Sequence, residues 1–86
     1  MNYELSDHVR EEIARRRIPL TVFESVLANP QQKLPEHGDV ICYQSKIDIN
    51  QKEYLVRVMV NETRTPAKVV TVYRTSKIRK YWKTAS

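Results

Sequence analysis

Apolar residues recur every third or fourth position near the start of the chain, and from Val40 onward they alternate with polar ones, so the period changes from helical to strand-like near residue 38. Leu5, Val9 and Ile13 form a stripe at spacing four, with Arg10, Glu11, Glu12, Arg15, Arg16 and Arg17 filling the rest of the turn. That spacing predicts an amphipathic helix of about three turns. Ser6 is suited to cap it, with Asp7 beside the positive helix end. Pro19 ends it, because the residue before a proline is pushed out of helical backbone. Thr21-Val22-Phe23-Glu24 then reads as a capping box for a second, short helix through Phe23, Val26 and Leu27, closed by Asn29-Pro30.

Residues 30–38 read as a connector in which Gly38 supplies a positive backbone dihedral. Strands are expected over residues 40–47, 53–61 and 68–74, with turns at 48–51 and 63–66. On the middle strand Tyr54, Val56, Val58 and Val60 share one face, and Leu55, Arg57 and Met59 the other. Strict alternation on the last strand puts Val70 and Val72 on one face and Val69, Thr71 and Tyr73 on the other. The expected fold is α+β, with two N-terminal helices packed on one face of an antiparallel sheet of three to four strands. The other face is left for a ligand.

A chain of 86 residues has room for one domain, 1–86, around one modest core. Its formal charge of +5 is unevenly spread: residues 63–86 hold seven Lys or Arg and no acid, against eight basic and ten acidic residues in 1–62. A basic tail on a mildly acidic body points to a polyanion partner, usually nucleic acid. The lone Cys42 excludes an internal disulfide and fits a reducing compartment. No apolar run approaches the roughly 20 residues of a bilayer span, and the N-terminus lacks a signal-peptide layout, so a cytoplasmic location without membrane contact is expected.

His8, His37 and Cys42 lack metal-ligand spacing, and with Gly38 as the only glycine there is no phosphate-cradling loop. Cys42, inside a strand, reads as packed rather than nucleophilic. What remains suits phosphodiester chemistry: His8 to exchange protons, Arg16, Arg57 and Arg74 to hold phosphate, Tyr73 and Thr71 to orient or donate. Each has a plainer reading. His8 sits one turn before Glu12, as a solvated histidine would; Arg57 must lie on an exposed face, in a cleft or on an edge strand; Tyr73 fits a core aromatic with its hydroxyl at the rim. Tyr81 and Trp82 either stack on bases, amid Lys77, Lys80 and Lys83, or staple the tail to the core.

Ser6-Asp7-His8, Arg16-Arg17-Ile18, Val26-Leu27-Ala28-Asn29-Pro30, Tyr43, Leu55-Val56-Arg57-Val58, Val70-Thr71-Val72-Tyr73 and Lys80-Tyr81-Trp82 together resemble a small branch of the RelE/ParE toxin superfamily. The resemblance implies the same two-helix, antiparallel-sheet fold and a cofactor-free, metal-independent endoribonuclease. In that chemistry the ribose 2′-hydroxyl attacks its own phosphate, leaving a cyclic phosphate and a 5′-hydroxyl end. It implies His8, Arg57, Thr71 and Tyr73 as catalytic residues, with His8 as general base or acid, Arg16 and Arg57 clamping the phosphate, and Tyr73 donating to the leaving oxygen. Arg74, Lys77, Lys80 and Trp82 would bind RNA. The expected partners are an antitoxin protein and RNA, on or off the ribosome. A non-catalytic RNA-binding or gyrase-inhibiting module is the alternative, and a tail that forms a homodimer surface is a third. The chain departs from the branch at Arg17, where Arg-Gly-Ile is usual, and at Glu12, which sets a carboxylate near His8 where the branch carries an arginine.

Overall fold

Ser6 caps the first helix as expected: its Oγ accepts from the Val9 N–H at 3.2 Å, opening α1 (Asp7–Arg15). The helix ends before Pro19 is reached. Arg17 turns left-handed, φ 55°, so that its N–H meets the Ala14 carbonyl at 3.1 Å and the Ile18 N–H meets that of Ile13 at 3.0 Å. These two bonds make a Schellman close, which satisfies carbonyls the helix end would otherwise leave open. Glycine takes this conformation without the Cβ penalty that Arg17 bears. Arg17→Gly is therefore expected to stabilise the fold by about 1 kcal/mol, the relieved strain being partly offset by a freer unfolded chain. A urea midpoint at or below wild type would contradict this.

The close drops Ile18 into the core at 4% exposure and starts α2 (Leu20–Ala28) directly behind Pro19. The capping box expected at Thr21 and Glu24 is not formed: the helix begins one residue before Thr21, with Pro19 as N-cap and no side-chain cap. Its first turn is closed by the Phe23 N–H on the Pro19 carbonyl at 3.1 Å.

The computed structural model describes residues 2–84; Met1, Ala85 and Ser86 of the expected 1–86 domain lie outside the described residues. Five strands follow the order β1-β5-β4-β3-β2. They are β1 (Tyr3–Glu4), β2 (Gln32–Pro35), β3 (Val40–Ile49), β4 (Lys52–Asn61) and β5 (Ala67–Thr75), and a last turn of helix, α3 (Ile78–Tyr81), follows. All pairings are antiparallel except β1 on β5. The connector expected at 30–38 holds β2, a short edge strand whose Pro35 and charged neighbours mask it in sequence while protecting the edge. Gly38 has the expected positive φ, 58°. The turn between β3 and β4 narrows to Asn50 and Gln51, both at positive φ, as a tight two-residue hairpin requires.

Both helices lie against one face of the sheet. Val9 and Ile13 of α1 and Phe23, Val26 and Leu27 of α2 pack with Val56, Val58, Val60, Val69 and Val72. The Tyr3 ring meets Phe23 edge-on, centroids 5.9 Å apart, which fastens β1 to α2. Strict alternation fails at one place. A bulge opposite Met59 and Val60 pairs Val60 with Val69, leaving Val70 as the extra residue. Val69 therefore joins Val72 in the core, fully buried, and Val70 is 43% exposed, the reverse of the expected faces.

Candidate functional site

Position 57 alternates with the helix-facing valines, so Arg57 points from the central strand to the sheet face away from α1 and α2. It is neither on an edge nor exposed: 4% of its surface is accessible. The sequence reading allowed an exposed face, a cleft or an edge, and the register replaces these with a buried charge between the apolar Leu55 and Met59 of its own strand, its guanidinium met by polar and aromatic groups. Gln44 lies opposite on β3 and Tyr73 opposite on β5. Arg57 Nε donates to Gln44 Oε1 at 2.8 Å, Nη1 to the Tyr73 hydroxyl oxygen at 2.6 Å, and Nη2 to Glu36 Oε1 at 2.9 Å. Glu36 comes from the loop after β2. The Tyr81 ring covers the guanidinium, with Cζ 4.3 Å from its centroid, and stands edge-on to Tyr73.

Gln44, fully buried, carries the network outward. Its Nε2 donates to Gln32 Oε1 at 2.7 Å and to the Tyr81 carbonyl at 3.2 Å. Gln32 in turn grips the tail backbone at Lys83, accepting from its N–H at 3.2 Å and donating to its carbonyl at 2.6 Å. The basic tail is thus folded back over the open sheet face. Trp82 extends that cover, with Lys46 Nζ 4.1 Å from its ring centroid.

Electrostatics divide the molecule. Half of the body cations are matched: Arg15 and Arg16 with Glu12, Lys33 with Glu62 at 3.1 Å, Arg57 with Glu36; Arg10, Arg17, Lys46 and Lys52 form no ion pair among the described residues. Among the described residues none of the seven cations of the tail region forms an ion pair, so the positive field there is uncompensated. Burial pushes the Tyr73 hydroxyl above the usual tyrosine range, although Arg57 pulls the other way. Burial alone would lower the proton affinity of Arg57, but its bonds to Tyr73 and Glu36 outweigh that and raise it. At neutral pH the pair is a cation beside a protonated phenol. Since Arg57 donates to the phenol oxygen, the Tyr73 proton is left to give elsewhere. Burial likewise raises the Cys42 thiol, which holds it in the inert, protonated form.

The expected site residues fall into two groups. Arg57, Tyr73 and Thr71 share the face away from α1 and α2; Lys77, Lys80 and Trp82 lie on the tail, with Lys80 Nζ 5.3 Å from the centroid of the Tyr81 ring that covers Arg57. His8 does not join them. It sits on α1 in the helical layer with its side chain 76% exposed, Nε2 3.7 Å from Glu12 Oε1. Arg16 is also on that side, its Nε 2.6 Å from Glu12 Oε2, and these contacts with Arg16 and then Arg15 hold the Glu12 carboxyl below its usual range. Arg74 faces the helices too, opposite Val56, and stacks on Tyr54 at 4.4 Å. The single-site grouping of His8 with Tyr73 is therefore not assembled, because α1 and the Tyr73 side chain, which pairs across from Arg57, lie on opposite sides of the sheet. Glu36 and Gln44 were not legible as site residues, and Tyr81 was legible only as a base platform or a staple of the tail. An isolated Glu in a connector and a Gln in a strand carry no spacing signal.

Fold and site together define an α+β domain with one face covered by α1 and α2 and an opposite face on which the tail closes over a buried, hydrogen-bonded arginine. The chain belongs to the DUF4258 family, a domain of unknown function, whose model matches residues 5–74. No curated protein and no solved structure matches it. No described helix is long and apolar enough to cross a membrane.

Proposed function

We propose that this chain is the toxin of a bacterial type II toxin–antitoxin pair, of RelE/ParE type, acting as an endoribonuclease on the sheet face opposite α1 and α2. The observation that carries the reading is the Arg57–Tyr73 pair, bonded at 2.6 Å beside an uncompensated basic tail. In this reading a phosphodiester takes the place of the Glu36 carboxylate on Arg57 Nη2. The ribose 2′-oxygen bonds to phosphorus while the bond from phosphorus to the 5′-oxygen breaks. Tyr73 gives its proton to the departing 5′-oxygen, and the displaced Glu36 accepts the 2′-hydroxyl proton. Arg57 stabilises the charge that grows on the phosphoryl oxygens. Glu36 thus takes the proton-transfer role that the resemblance assigned to His8.

Induced expression in a bacterial host, with growth and total RNA followed together, tests this. Arrest with fragmented RNA is expected, and His8→Ala should arrest equally because His8 lies in the other layer. Absence of arrest at matched expression would count against the toxin reading. A second reading, a non-catalytic RNA-binding or gyrase-inhibiting module, is favoured by one observation: Arg57 is already neutralised by Glu36 at 2.9 Å. Arrest with intact RNA would select it.

A further inference from the structure

We propose that the groove lined by Lys46, Ile78, Arg79, Trp82 and Thr84 is a second subsite, taking one nucleotide of a single-stranded RNA next to the one held at Arg57. This rests on the RNA reading above. The groove, open on one side to solvent, has a volume of about 420 Å³. Its two cations, Lys46 and Arg79, have no carboxylate partner among the described residues, whereas Arg57 in the neighbouring site has one. Its aromatic wall, Trp82, is half-buried and carries Lys46 Nζ 4.1 Å from the ring centroid. An aromatic surface beside unmatched cations is the arrangement that receives a base and its phosphate together; an acidic peptide would satisfy the cations but leave the ring unused.

The position agrees. Lys46 follows Gln44 on the same face of β3, about 7 Å along the strand, and Gln44 bonds Arg57 directly. Trp82 follows Tyr81, whose ring covers Arg57. A strand of RNA leaving Arg57 along β3 meets this groove next. The two hydrogen bonds between the Gln32 side chain and the Lys83 backbone hold its tail wall in place, so the groove is preformed.

Trp82 is the only tryptophan, so its emission reports the groove. The full chain should be titrated with a short 2′-O-methyl oligoribonucleotide, which lacks the attacking hydroxyl, while anisotropy of a labelled copy reports total binding. The expected result is quenching of Trp82 in step with anisotropy. Lys46→Gln and Arg79→Gln should each weaken binding about three- to tenfold and lower the salt slope by about one, with unchanged circular dichroism. Binding without quenching, wild-type affinity in both variants, or equal quenching by oligoglutamate would overturn the subsite while leaving the nuclease reading in place. Quenching by an RNA that the chain fails to cleave in its 2′-hydroxyl form would keep the subsite and remove the nuclease. No binding by either readout removes both.

Discussion

Tyr73→Phe is expected to slow RNA cleavage by the purified chain about 10²- to 10³-fold while leaving RNA affinity within about twofold. The phenol oxygen accepts from Arg57 Nη1 at 2.6 Å, so its own proton is free, and burial keeps that proton on at neutral pH. Removing the hydroxyl deletes the proton given to the departing 5′-oxygen and leaves the phosphate contact intact, so the loss should fall on kcat rather than KM. The fold should survive. Arg57 keeps its bonds to Gln44 and Glu36, and one lost acceptor costs about 1 kcal/mol. His8→Ala, measured alongside, should cleave at the wild-type rate. Equal losses in both variants would mean that cleavage does not run through the Arg57 face, and an unchanged rate in Tyr73→Phe would remove Tyr73 from the chemistry.

The largest effect on stability belongs to the same cluster. Arg57→Ala should lower the free energy of unfolding by about 3 kcal/mol, at the low end of what breaking a buried ion pair costs. Three partners lose their donor at once: the Glu36 carboxylate, the fully buried Gln44 and the Tyr73 hydroxyl. The Tyr81 ring also loses the cation beneath it. Glu36 moderates the loss, because its side chain is 33% exposed and can turn to water. Gln44 has no such exit. Glu36→Gln should accordingly cost only about 1 kcal/mol, since it removes the charge and keeps an acceptor. Urea denaturation of the three chains gives the ranking; a milder Arg57→Ala than Glu36→Gln would show that the cluster is held by something other than its arginine.

The tail is built on the same cluster. Its cations have no acidic partner among the described residues, yet its backbone is tied down through Gln32, Gln44 and Tyr81. The charge is thus left for a ligand while the position is fixed by uncharged groups. This also explains why Tyr81 and Trp82 are both staples and candidate base platforms, two readings that looked exclusive in sequence. Tyr81 closes over Arg57, and Trp82 lines the next groove.

The amino-acid order by itself determined the layer architecture. Period-four apolar residues at Leu5, Val9 and Ile13 and period-two valines from Val56 to Val60 each set one apolar side against a partner, so helices on one face of a sheet followed from local spacing. Ser6 as a cap and Gly38 at positive φ were equally local, and both were readable. Register and closure were decided elsewhere. The bulge that turns Val69 inward exists because β5 must match β4, and two-residue β1 and four-residue β2 form only where β5 and β3 offer an edge. The site belongs to this second kind. Gln44, Arg57 and Tyr73 lie on three different strands and meet only through cross-strand pairing, with Glu36 brought in from a loop. His8 was separated from them by the same fact: a helix residue and a strand residue share a site only if the helix packs on that strand's face, and here it packs on the other.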